Sequence, residues 1–94
     1  MLYLIIARDG DDADAPARRQ AVRAQHLEGA RRLAEGGALQ LGGALLDDAG
    51  GMIGSAMLIE ADDEAAVHAL IAADIYSEAG VWQEYEVYPF KRAI

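Results

Sequence analysis

Residues Arg19 to Leu33 read RQAVRAQHLEGARRL, and their spacing is that of a two-sided helix. On a helical wheel Val22, His26, Gly29, Ala30 and Leu33 fall on one side, with Glu28, Arg31, Arg32 and Glu35 on the other. His26 therefore sits inside the apolar stripe, where a titrating group needs a reason. Arg19 and Arg23 lie near the same stripe. A helix that turns two arginines and a histidine towards its own core is presenting a polar site or filling one.

Asp14 suits an N-cap and Pro16 the first turn, so this helix is expected from Pro16 to Glu35, ending at Gly36-Gly37. Before it, Leu2 to Ala7 (LYLIIA) reads as a buried strand and Arg8 to Ala15 as an acidic loop. In the strand Leu2, Leu4 and Ile6 point one way and Tyr3, Ile5 and Ala7 the other. After the helix, Ala38 to Leu46 reads as a second strand, in which Gly42-Gly43 predicts a bulge or a close backbone approach. Asp47 to Gly51 is a hairpin connection into a third strand, Met52 to Glu60.

A second helix begins at Asp62 or Asp63, with Val67, Leu70 and Ile71 as its apolar stripe and Asp74 extending that stripe. Ile75 to Gly80 is a turn, and Trp82 to Tyr88 is a fourth strand that Pro89 is expected to end. The order β-α-β-β-α-β predicts a single α+β domain over residues 1–94, of the ferredoxin-like split βαβ pattern. Both helices would cover one sheet face. The first strand is apolar on both faces, and an uncovered apolar face marks an association surface, so a homodimer joined sheet to sheet is expected.

Composition bounds the function. The 94 residues carry a net charge of −8, which argues against a nucleic-acid or anionic-membrane partner. Of the eight basic residues, five (Arg18, Arg19, Arg23, Arg31, Arg32) lie on the first helix, a local positive field suited to a small anionic ligand. There is no cysteine, no leader-like N-terminus and no apolar run near the roughly 20 residues that span a bilayer; a cytoplasmic location is expected. The two histidines, without a matching acidic cluster, give weak grounds for a metal, and no phosphate loop or dinucleotide fingerprint is present, so no cofactor is expected.

Several residues could carry chemistry. His26 is either a general base or acid or a core histidine satisfied by a carbonyl. Asp74, near a helix C-terminus where the dipole disfavours a carboxylate, either pairs with His26 or an arginine or caps the turn Ile75-Tyr76-Ser77-Glu78; the two roles are compatible. Arg19 and Arg23 would bind a carboxylate or phenolate, or pair with Asp74 or the acidic loop. Ser55 could donate to a ligand from the third strand or simply pack there. Tyr3, Tyr76 and Trp82 are expected in the core, with pocket lining as the rival role. His68 lies off its helix's stripe and is expected to be exposed.

The chain resembles the YciI-like (YCII-related) family over nearly its whole length. The resemblance rests on MLYLIIARDG, Arg19-x-x-x-Arg23-x-x-His26-Leu27, Gly42-Gly43, Gly54-Ser55, Asp74-x-Tyr76 before Ala79-Gly80-Val81, and Val87-Tyr88-Pro89-Phe90-Lys91. It implies a ferredoxin-like fold assembled as a dimeric α+β barrel, with an active site on a histidine and an aspartate that map to His26 and Asp74. It also implies dehydrohalogenation or isomerisation of ring-cleavage and aromatic intermediates, moving a proton without a cofactor. The family commonly has proline after the aspartate; this chain has Ile75, so the turn that orients Asp74 is expected to be held less firmly.

These observations lead to a cofactor-independent lyase or isomerase-like enzyme for a small anionic or phenolic molecule. His26 would be the base or acid, Asp74 its partner, and Arg19, Arg23 and Ser55 the substrate contacts. The alternatives are a non-catalytic small-molecule-binding or accessory dimer module, and a purely structural dimer. Fold alone cannot choose among them.

Overall fold

The computed structural model covers residues 1–94 and has seven elements: β1 (Leu2–Asp9), α1 (Ala15–Glu35), β2 (Leu39–Leu46), β3 (Met52–Glu60), α2 (Glu64–Ala73), α3 (Ile75–Glu78) and β4 (Trp82–Phe90). The strands form one antiparallel sheet in the order β2-β3-β1-β4, the ferredoxin-like arrangement expected from the element order. The short α3 interrupts the path from α2 to β4. No helix is long and apolar enough to cross a membrane.

Strand alternation sets the layers. Tyr3, Ile5 and Ala7 face the helices and are buried, with Ile59 of β3 in register opposite Tyr3. Val67 and Ile71 of α2, Tyr76 of α3, Val81 and Trp82 complete this core. Leu2, Leu4 and Ile6 face the other way, beside Leu58, Tyr88 and Phe90 in register. That face carries no helix, and Leu41, Tyr88 and Phe90 are exposed.

Several local expectations are corrected. The α1 helix begins at Ala15, and the Asp14 side chain makes no capping bond because its backbone already turns in the helical region. Its other end follows the glycine signal. Gly37 adopts φ +87, and the Ala38 and Gly37 N–H groups bond back to the Leu33 and Ala34 carbonyls, closing the helix. No bulge occurs at Gly42-Gly43, which pair regularly with Met57 and Ala56; the register shifts lie instead at Leu39/Leu41 and Leu45/Leu46. Pro89 does not end β4, which runs to Phe90. As an edge strand, β4 can hold a proline whose missing N–H is not required by a neighbour.

Gly54 is the glycine the sheet cannot replace. A Cβ there would lie 2.4 Å from the Ala7 carbonyl oxygen, across the β1–β3 pairing. Gly54→Ala is therefore expected to destabilise the fold by about 1–3 kcal/mol, seen as a lower urea midpoint at unchanged slope. An unchanged midpoint would contradict so close a strand approach.

Candidate active site

The α1 helix turns Arg19, Val22, Arg23, His26, Ala30 and Leu33 towards the rest of the molecule, while Glu28, Arg31 and Arg32 are exposed. Arg32 pairs with Glu28 on the solvent side. The face identified on the wheel is thus the packed one, and it meets α3 and β2.

Asp74 faces α1 from the junction of α2 and α3. It does not extend the α2 stripe. Its backbone leaves the helix (φ −72, ψ 139), so it is at once the last cap of α2 and the N-cap of α3. This removes the conflict with the α2 dipole, because the carboxylate now sits at the start of the next turn. Its Oδ1 accepts the Tyr76 N–H at 2.9 Å, and its carbonyl accepts from Ser77 and Glu78. At the other end of α3, Gly80 (φ +72) lets the Val81 and Gly80 N–H groups bond to the Tyr76 and Ser77 carbonyls. The turn is therefore fixed at both ends without a proline. The Asp74 backbone already has the extended shape that a following proline would impose, and Ile75 adds packing against the core.

His26 Nδ1 lies 2.8 Å from the same Asp74 Oδ1, with both side chains mostly buried. A carboxylate only accepts, so Nδ1 carries the proton of this bond and the neutral ring has a bare Nε2. No protein group bonds to Nε2. The imidazole stacks on the Tyr76 ring, with centroids 3.8 Å apart and planes 7° from parallel, and Trp82 meets it edge-on at 5.6 Å.

The two inward arginines have different circumstances. Arg19 Nη1 donates to both oxygens of Asp9 at 3.0 Å, and Nη2 donates to Ser55 Oγ at 3.1 Å. The Arg19 and Asp9 side chains are only 5% and 4% exposed. Arg19 Nε has no partner. Ser55 also accepts from Trp82 Nε1 at 3.1 Å, which leaves its own hydroxyl proton to donate. Arg23 makes no ion pair or hydrogen bond with a protein group and borders the cavity described next. The sequence pattern puts Asp9 in the acidic loop, whereas it is the last residue of β1. The signal was present: Asp9 continues the parity of Tyr3, Ile5 and Ala7, and β1 runs on to include it.

A cavity of 230 Å³ lies between α1 and the β2–β3 half of the sheet. Arg19, Arg23, His26, Ser55, Asp74 and Tyr76 line it, with Leu27, Leu39, Met57 and the Gly42-Gly43 backbone completing its walls. All five proposed site residues therefore share one cavity. His26 and Asp74 also border a larger open groove of 550 Å³ between α1 and the α2–α3 segment. The inner cavity is the one that gathers the arginines and the serine. Tyr76 is fully buried, and burial pushes its phenol above the usual value, so it stays neutral near pH 7. Tyr3 and Trp82 are core residues, as expected. His68 is half-exposed and bonds Tyr85 and Glu64, in a cluster separate from His26.

The model of the YCII-related domain matches residues 1–91, and the chain belongs to that family. Protein YciI of Escherichia coli O6:H1 is 36% identical across 98% of this chain and 98% of its own length; that of Shigella flexneri matches equally. A proline–tRNA ligase of Salinispora arenicola is 37% identical across 90% of this chain, which corresponds to 14% of the ligase. Among solved structures, 5-chloro-2-hydroxyhydroquinone dehydrochlorinase (TftG) from Burkholderia phenoliruptrix AC1100 superposes with a TM-score of 0.85 at 28% identity, covering 99% of this chain and 96% of the other. That structure is a complex with 2,5-dihydroxybenzoquinone.

The Arg19–Asp9 pair gives a stability test. Asp9→Ala leaves a buried guanidinium without its counter-ion and is expected to cost about 3–5 kcal/mol in urea unfolding. The double variant Asp9→Leu, Arg19→Met should lose much less than the sum of its single changes. Strict additivity would contradict the pairing.

Proposed function

We propose that this chain is a cofactor-independent enzyme of the lyase or isomerase type, moving a proton on a small anionic or phenolic ring compound. The observation that carries the reading is the 2.8 Å contact of His26 Nδ1 with Asp74, made on the wall of a cavity that also holds the unpaired Arg23. His26 takes the substrate proton at Nε2. Asp74 keeps the proton of the neutral ring on Nδ1 and stabilises the imidazolium that forms. Where the substrate carries a halide, the electron pair released by the lost proton expels it, so that hydrogen halide is eliminated overall.

Arg23 is the direct anchor for a substrate oxyanion, and Ser55 donates to a second oxygen. Arg19, neutralised by Asp9, orients Ser55 rather than supplying the main charge. The size of the cavity supports a one-ring substrate. A cavity of about 150 Å³ accommodates benzene, so 230 Å³ admits a ring with a few oxygen or halogen substituents. The likeness to TftG, whose name specifies a chlorinated hydroxyhydroquinone, supports the same substrate class.

The test uses 5-chloro-2-hydroxyhydroquinone with chloride release as the readout, and 2,5-dihydroxybenzoquinone as a binding probe in calorimetry. His26→Ala is expected to lower kcat/KM about 10²- to 10⁴-fold. Arg23→Ala should raise KM roughly 10- to 100-fold with a smaller effect on kcat, the loss expected for a hydrogen bond to a charged group. Unchanged turnover in His26→Ala would overturn the catalytic role.

The alternative is a binding or accessory module without catalysis. It is favoured by the match to a small part of a proline–tRNA ligase, in which a similar segment accompanies a much larger protein. It predicts that the quinone binds and that no chloride appears.

We also propose that two copies pair through the sheet face without helices. Its support is the apolar row Leu2, Leu4, Ile6, Leu58, Tyr88 and Phe90, part of which is exposed in the single chain. Leu4→Glu is expected to turn a dimer into a monomer in light scattering after size-exclusion chromatography. A monomeric wild-type chain at micromolar concentration would contradict the pairing.

A further inference from the structure

We infer that Tyr76 is the positioning residue of the His26–Asp74 pair, acting through its ring and its backbone and not through its hydroxyl. The inference rests on the dyad reading above. Three contacts carry it. The Tyr76 N–H holds Asp74 Oδ1 at 2.9 Å, the same oxygen that His26 meets. The Tyr76 ring lies flat on the imidazole at 3.8 Å, which fixes the ring plane and hence the direction of Nε2. The Arg19 guanidinium carbon is 4.8 Å from the centroid of the same Tyr76 ring.

The helix explains the arrangement. Arg19 and His26 are two turns apart on α1, a rise of roughly 10.5 Å, and an aromatic ring fits between side chains at that spacing. Trp82 closes the edge, meeting Tyr76 at 5.4 Å and His26 at 5.6 Å. The turn that presents Tyr76 is itself locked, by Asp74 at its start and Gly80 at its end. The backbone that carries the ring is thus held at both ends of its turn. The hydroxyl is the part of the residue with no assignment, since it is buried and bonds no protein group.

The experiment is NMR of protein labelled with ¹⁵N at histidine, reading which ring nitrogen of neutral His26 carries the proton. Wild type, Tyr76→Phe and Tyr76→Met are compared. Wild type and Tyr76→Phe are expected to show a single tautomer, protonated at Nδ1, and upfield-shifted His26 ring protons. Tyr76→Met should show a mixture of tautomers. Retention of the single Nδ1–H tautomer in Tyr76→Met overturns the inference, and so does its loss in Tyr76→Phe. If Tyr76→Met does not fold, the ring-proton shifts decide: their absence in wild type overturns the stack. A wild-type His26 protonated at Nε2 overturns the dyad itself, an outcome distinct from failure of the positioning role alone.

Discussion

One oxygen of Asp74 joins the two halves of the helical layer. Oδ1 accepts the Tyr76 N–H that starts α3 and the Nδ1–H of His26 on α1. The first bond decides where α2 ends and how the chain turns towards β4. The second decides how α1 sits against that turn. Hydrogen bonds to a charged group contribute about 1.5–3 kcal/mol each, against a total of about 5–15 kcal/mol for a domain. In a chain this small, two such bonds on one oxygen are a sizeable share of stability. They also hold His26 at the edge of a cavity, so the same contact serves the fold and the candidate site.

Around it the charges are sorted. The chain carries −8 overall, yet its inner cavity is bordered by two arginines. Asp9 cancels Arg19 within the interior, and Arg19 in turn holds Ser55, to which Trp82 also bonds. A network from β1 through α1 to β3 and β4 is thereby satisfied, apart from Arg19 Nε. Arg23 remains without a counter-ion. An acidic surface with one free cation inside a small cavity suits a single small anion and disfavours polyanions.

Much of this was legible in the sequence because periodicity carries it. The wheel placed His26 on the packed face, and strand parity separated Tyr3, Ile5 and Ala7 from Leu2, Leu4 and Ile6. Asp74 was readable as both cap and partner, and it is both. What escaped the reading depended on neighbours in space. Pro89 stays in β4 because that strand lies at the edge, which only sheet order reveals. Gly42-Gly43 pairs regularly because the irregularities settle at the ends of β2. Around Ile75 the turn is closed by the Asp74 side chain at its start and by Gly80 at its end, contacts that no residue-by-residue pattern displays. Asp9 shows the limit most clearly: its parity was correct, but its charge led to a loop assignment. Only the arginine across from it explains a buried carboxylate there.

The most direct test of this account is a double-mutant cycle on His26→Ala and Asp74→Ala, read as unfolding free energy in urea. It needs no substrate and isolates the contact on which both fold and site depend. A coupling of about 1–3 kcal/mol between the two positions is expected. Additivity to within about 0.5 kcal/mol would contradict it, because residues without a shared interaction behave that way.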